Sequence, residues 1–255
     1  MIVSLNSWPR NVQIEDMGVT NAKNLVREHI WSLLEREAAV TAGAHGRIPS
    51  FVGADAAAQG VASLPEWRSA KVIKAVPDEA QLPVRIRALI DGKLLYMAVP
   101  RLAGDKPFYL LDPSSLTVPP VEAASKRGAA SVARKVDVDE MRPVDLIICG
   151  SVAVNRAGVR LGKGAGYSDI EVALLQEGGL ISDQTTIVTT VHPLQVLADD
   201  LPETDHDFRV DIVVTPDEII RCRPHPRPGG IRWEDLTPEQ ISEIPALAAR
   251  QPGER

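Results

Sequence analysis

Twelve residues constrain this chain most: Gly158-Val-Arg-Leu-Gly-Lys-Gly-Ala-Gly-Tyr-Ser-Asp169. Four glycines alternate there with Arg160, Lys163, Tyr167 and Asp169. The stretch follows an apolar run, Val144-Asp-Leu-Ile-Ile-Cys149, that reads as a buried strand. It precedes Ile170, Ala173 and Leu174 at helical spacing. Strand, glycine loop and helix together suit an anion. Glycine lets the backbone turn sharply and bring its N–H groups close to a phosphate. A following helix N-terminus adds partial positive charge. Glycines alone would also suit a purely structural turn. The two cations inside the loop, with Tyr and Asp at its exit, favour binding.

The spacing excludes two common phosphate loops. A G-x-x-x-x-G-K-[ST] loop needs one more residue between Gly158 and Gly162, and Gly164 stands where its Ser or Thr belongs. A dinucleotide-binding G-x-G-x-x-G follows its strand directly. Here eight residues separate Cys149 from Gly158, and the glycines run G-x-G-x-G.

The surrounding chain reads as one α/β domain. Strands are expected at 70–76, 94–99, 108–111, 144–149, 186–191 and 209–214, with helices at 54–63, 83–91 and 124–133 between them. This alternation favours a mainly parallel sheet with helices on both faces, which meets ligands at the carboxyl ends of its strands. Residues 1–19 read as an N-terminal arm, 20–222 as the domain, and 223–255 as an extended Pro-rich wrap with a short C-terminal helix. The first helix is expected to start at Thr20-Asn21, both capable caps. Its apolar stripe is Ala22, Leu25, Val26, Ile30, Leu33 and Leu34. Lys23 and Arg27, four apart, share the other side, which spacing alone reads as solvated. Thr237-Pro-Glu-Gln240 has the residues of a capping box.

Length and composition bound the partners. The chain has 255 residues, enough to bury a sizeable core. A net charge of −6 argues against bulk nucleic-acid or anionic-membrane binding, although an acidic shell can surround a basic pocket. No apolar run reaches the roughly 18 residues of a membrane span, and the first residues lack a secretory pattern. A cytoplasmic location is expected. Cys149 and Cys222 have no metal-ligand spacing, and Cys149 is expected to pack as a small hydrophobe. His192 ends an apolar strand, where packing or hydrogen bonding is the usual role. His206 and Asp207 read as loop-shaping residues, with a role at the pocket edge as the alternative.

The glycine stretch resembles the 5-formyltetrahydrofolate cyclo-ligase (methenyltetrahydrofolate synthetase) family, which carries G-x-R-L-G-x-G-x-G-Y-Y-D-R after a strand. This chain keeps Gly158, Arg160, Leu161, Gly162, Gly164, Gly166, Tyr167 and Asp169, with Ser168 and Ile170 in place of the second Tyr and last Arg. The likeness continues through Leu201-Pro-Glu-Thr-Asp-His-Asp207 and Val210-Asp-Ile-Val-Val-Thr215. Upstream it takes in Lys23-x-x-x-Arg27, Ala70-Lys-Val-Ile-Lys74 and Leu94-Leu-Tyr-Met-Ala-Val-Pro100. It spans residues 20 to 222 in the same order. The closest pattern is the divergent methenyltetrahydrofolate-synthetase-domain branch, which shares Gly150-Ser-Val-Ala-Val154, Arg47-Ile-Pro49 and Arg227-Pro-x-Gly-Ile-x-Trp233.

The resemblance implies a NagB/RpiA/CoA-transferase-like α/β fold, monomeric or homodimeric. It implies ATP and Mg2+ as cofactors, and ATP-dependent cyclisation of 5-formyltetrahydrofolate or another small molecule. Lys23, Arg27, Gly162, Lys163, Gly164, Gly166 and Tyr167 would then bind ATP. Arg160, Lys163 and Tyr167 would serve the reaction, and Asp169 would hold the metal. Aligning the helix at 83–91 with the family puts Pro83 where a pterin-facing Glu is expected, which predicts weak folate turnover with ATP binding retained. A non-catalytic nucleotide- or folate-binding protein that keeps the fold is the alternative.

Overall fold

The computed structural model describes residues 18–227 and 229–251. The expected N-terminal arm lies outside the described residues, apart from its last two positions. The elements run α1 (Val19–Arg36), α2 (Ala54–Ser63), α3 (Pro65–Ser69), β1 (Val72–Ala75), α4 (Leu82–Ile90), β2 (Leu94–Ala98) and β3 (Phe108–Leu111). Next come α5 (Pro120–Ala123), α6 (Lys126–Val132), β4 (Arg134–Val136), β5 (Leu146–Cys149), β6 (Ala153–Asn155), β7 (Arg160–Leu161) and α7 (Tyr167–Glu177). β8 (Thr186–Thr190), β9 (Val196–Leu197), β10 (Ile212–Val214), β11 (Ile219–Arg221), α8 (Pro238–Glu243) and α9 (Pro245–Ala248) complete the order.

Eight strands form one sheet in the order β11-β10-β8-β5-β1-β2-β3-β4. The five central strands, β10 to β2, pair in parallel. β11, β3 and β4 add antiparallel edges. The expected, mainly parallel α/β architecture is thus the observed one. Central strands such as Leu146-Ile-Ile-Cys149 are buried on both faces, which explains why they read as continuous apolar runs rather than alternating ones. Side-chain alternation still sorts β1. Val72 and Val76 enter the core beneath α7, while Ile73 and Ala75 enter the core beneath α2 and α4.

A second sheet of three short strands, β7-β6-β9, stands apart from the first. β6 and β7 form an antiparallel hairpin, and β9 joins β6 in parallel. α1 packs on this small sheet, where Val26, Ile30 and Leu34 meet Val152, Ala153, Leu161 and Leu197. This corrects the simple strand–loop–helix expectation. The glycine loop leaves β7 of the hairpin rather than β5, so Arg160 and Leu161 are strand residues. α1 also begins earlier than its two polar residues suggest. Gly18 is the N-cap, and no side chain caps the helix.

The C-terminal segment crosses the α7 face of the large sheet. Arg227 donates to the Thr185 carbonyl and, over 2.6 Å, to Asp211 Oδ2. Thr237 and Gln240 form the expected capping box at the start of α8. Ile244, Ala246 and Leu247 enter the same core as α7.

Gly158 turns the β6–β7 hairpin with φ +89, a region L side chains rarely adopt. A Cβ there would stand 2.3 Å from the Val210 carbonyl oxygen. That carbonyl's residue donates its own N–H back to Gly158 O at 2.9 Å, so the two backbones are locked together. Gly158→Ala should therefore destabilise the protein by at least about 2 kcal/mol, from left-handed strain plus a backbone clash. The check is the urea unfolding midpoint. An unchanged midpoint would contradict this packing.

Candidate anion-binding cleft

An open cleft of ≈ 810 Å³ lies between α1, the glycine loop and the carboxyl ends of β1 and β2. Val76, Pro77 and Asp78 reach it from β1, and Val99, Pro100 and Arg101 from β2. Six cations line it (Lys23, Arg27, Arg101, Lys126, Arg160 and Lys163) against four carboxylates (Asp78, Asp169, Glu171 and Asp207). The balance is positive in a chain of net charge −6, so the cleft is a local attractor for anions.

The two α1 cations do not face solvent. Lys23 and Arg27 are each 8% exposed, which corrects the solvated-face reading of their spacing. Helical projection shows which residues share a side but not whether a second sheet covers it. Lys23 Nζ donates to Asp207 and, at 3.2 Å, to Thr204 Oγ1. Arg27 Nε donates to the Gly162 carbonyl at 2.7 Å, and its Nη1 to Asn24 Oδ1 at 2.7 Å. Burial lowers the Arg27 pKa, the attraction of Asp207 and Asp169 opposing that fall and the Arg160 charge adding to it.

The loop itself is arranged for close approach. Gly164 has φ +99, and a Cβ on it would touch the Arg27 guanidinium at 3.4 Å. Glycine therefore serves both the turn and the packing of the cation. No described residue accepts a hydrogen bond from the N–H groups of Lys163, Gly164, Ala165 or Gly166. Lys163 is exposed at the tip and makes no ion pair among the described residues. Gly166 caps α7, and Tyr167 opens it half-buried at the cleft wall.

Arg160 and Asp169 meet each other rather than standing free. Arg160 Nη2 donates to Asp169 Oδ1 at 2.6 Å, and the guanidinium lies 3.9 Å from the Phe208 ring centroid. Only 3% of Arg160 is exposed, so its fork is held at the base of the cleft. Asp169 remains part of the lining. Among the described residues no cluster of three or more His, Cys, Asp or Glu could hold a metal. A single carboxylate still fits Mg2+ arriving on phosphates, since that ion takes one or two carboxylates and fills its shell with phosphate oxygen and water.

Two lining cations escaped the sequence reading. Arg101, in the left-handed region with φ 59, and Lys126 stand across the cleft from α1. Asp78 is presented by a loop that Arg85 fixes. The fully buried Arg85 donates to the Val76, Asp78 and Ala124 carbonyls, and burial pushes its pKa down to about 10. Pro83 lines a different groove, with Asp55, Ala58 and Ile86, and is not among the residues lining the cleft. His192 caps a short 3₁₀ turn, its Nδ1 accepting from Leu194 N–H at 3.2 Å. His206 lines the cleft beside Asp207 and contacts Asp235 at 3.0 Å. Cys149 is a buried free thiol whose pKa burial pushes up, as expected of an inert packing group.

The mainly parallel α/β sheet carries a cationic glycine-loop cleft at its carboxyl edge, the position where open α/β sheets meet their ligands. Comparison with known proteins gives the family. The sequence model of the 5-formyltetrahydrofolate cyclo-ligase family matches residues 19–216. The chain belongs to that family. It is 36% identical over 234 residues to the methenyltetrahydrofolate synthase domain-containing protein of Bos taurus, covering 89% of this chain and 61% of that protein. It is 34% identical over 242 residues to the Homo sapiens protein of the same name, covering 92% and 62%. The chain thus spans about three fifths of the length of these relatives. The fold is similar to that in the NMR structure of Aquifex aeolicus 5,10-methenyltetrahydrofolate synthetase. The TM-score is 0.52 at 23% identity, over 82% of this chain and 95% of that one. No helix among the described residues is long and apolar enough to cross a membrane.

The Lys23–Asp207 contact generates a pH prediction. Burial pushes the Asp207 carboxyl up, but hydrogen bonds from Lys23 and Thr204, with the lysine charge, outweigh it and hold the pKa below the usual aspartate value. A depressed folded-state pKa contributes stability above the unfolded value of about 3.9, and that contribution is lost as pH falls through the folded value. The Tm gap between wild type and Asp207→Asn should therefore be widest near neutral pH and narrow below about pH 4. Scanning calorimetry across that range checks it. A gap independent of pH would contradict this contact.

Proposed function

We propose that the chain is an ATP-dependent cyclo-ligase acting on 5-formyltetrahydrofolate. The observation that carries the reading is the glycine loop. Its N–H groups 163–166 have no acceptor among the described residues, and Arg27 and Lys163 flank them without a carboxylate partner. A polyphosphate fits that combination of amides and unneutralised cations.

In this reading the loop amides, Lys163 and Arg27 hold the nucleotide phosphates. Lys23, largely neutralised by Asp207, contributes mainly to the position of α1. Arg160 orients Asp169, whose carboxylate would hold Mg2+, and that ion would neutralise phosphate charge when bound. Tyr167 lines the pocket beside the transferring group. The formyl oxygen attacks the γ-phosphorus and ADP leaves. The substrate N10 then closes onto the activated carbon, phosphate departs, and the N10 proton passes to solvent. The product is 5,10-methenyltetrahydrofolate. No protein nucleophile is required, so catalysis rests on positioning and charge stabilisation. Family membership supports the substrate class, and the cationic cleft supports the nucleotide.

Purified protein given 5-formyltetrahydrofolate, ATP and Mg2+ should show rising methenyl absorbance with stoichiometric ADP. Lys163→Ala should weaken ATP binding by about 10- to 100-fold, since one charge-assisted contact contributes roughly 1.5–3 kcal/mol. Calorimetry reads that directly. Equal ATP affinity in both proteins would make the loop structural. Tight binding of both ligands without turnover would favour the non-catalytic alternative.

A further inference from the structure

Lys74 occupies the middle of β1, where its neighbours across the sheet are Tyr96 and Ile147. Its side chain is 1% exposed, on the face it shares with Val72 and Val76. There the ammonium meets the Glu171 carboxylate, carried by the second turn of α7 and 6% exposed. Taking both charges out of water is costly, and an apolar pair of similar volume would hold α7 on the sheet at least as well. An apolar pair could not supply a carboxylate at the cleft wall, which Glu171 lines.

The other cleft carboxylates are otherwise engaged or placed. Asp169 faces Arg160, Asp207 faces Lys23 and Thr204, and Asp78 lies on the loop fixed by Arg85. Glu171 is anchored through Oε2, and no described residue donates to its Oε1. A carboxylate repels a polyphosphate, so this oxygen is not a nucleotide contact. It suits hydrogen-bond donors on a neutral ring.

We propose that Glu171, held in place by Lys74, is a specificity residue for the acceptor substrate, accepting hydrogen bonds from the N–H and NH2 edge of a heterocycle such as a pterin. This rests on the cleft being the cyclo-ligase site. A pocket built around a ring donor rejects analogues that lack it, because the buried acceptor is then left unpaired.

The test compares wild type, Glu171→Gln and the double variant Lys74→Met/Glu171→Leu. The double variant removes the ammonium that the single change would leave unpaired. Binding of ATP, of 5-formyltetrahydrofolate and of bare pterin is measured by calorimetry, alongside Tm and turnover. Both variants should bind ATP within about threefold of wild type, since no phosphate contact changes. Both should lose about 10- to 100-fold in affinity for folate and pterin. Unchanged folate affinity in either folded variant overturns the proposal. So does a parallel fall in ATP affinity, which is what a simple tether between α7 and the sheet would give. Glu171-dependent pterin binding without turnover would sink the cyclo-ligase reaction and leave this inference standing. Turnover with an unchanged KM in Glu171→Gln would do the reverse, and wild type binding neither ring would overturn both.

Discussion

The hydrogen bond from Arg27 to the Gly162 carbonyl ties the first helix to the glycine loop across 135 residues of sequence. The guanidinium also lies against Gly164, so it acts as a template on which the loop is wound. Its position depends on α1 sitting on the small sheet, through Val26, Ile30 and Leu34. The small sheet in turn depends on the β6–β7 hairpin and on the Gly158 backbone locked to Val210. Loop, helix and hairpin therefore stand or fall together, and a change in α1 reaches the loop without touching a ligand.

The cleft separates two uses of charge. Lys23–Asp207, Arg160–Asp169 and Lys74–Glu171 are paired and largely buried, and they fix geometry. Arg27, Arg101, Lys126 and Lys163 have no carboxylate within ion-pair distance among the described residues. These four generate the field an incoming anion meets. Fixed dipoles and fixed charges of this kind need little rearrangement when a ligand arrives, which is how preorganised sites gain over water.

Most of the sheet was legible because buried parallel strands are written as apolar runs, and Leu146–Cys149 and Thr186–Thr190 fall within their expected spans. The small sheet was not. Strands of two or three residues, such as Arg160–Leu161, are shorter than any period can register. The fate of Lys23 and Arg27 was hidden for the same reason, since the covering surface comes from residues far along the chain. Lys74 is the instructive miss. A lysine in the middle of Val72-Ile-Lys-Ala75 is an anomaly in a central strand, and its partner Glu171 could have been sought on a helix facing that strand. The capping box at Thr237 was readable because it is wholly local. The motif residues 158–169 were identified as a group, yet their pairing, Arg160 with Asp169, needed the fold.

The long reach between α1 and its partners also sets an order in time. Lys23 finds Asp207 only after 184 further residues have been made. At about 5–20 residues per second, roughly 10–40 s of synthesis separate the two. During that interval the apolar stripe of α1 has no small sheet to cover it, because β6 to β9 span residues 153–197. The cleft is therefore a late product of translation, of high contact order, and among the described elements the helix that shapes it has the longest wait.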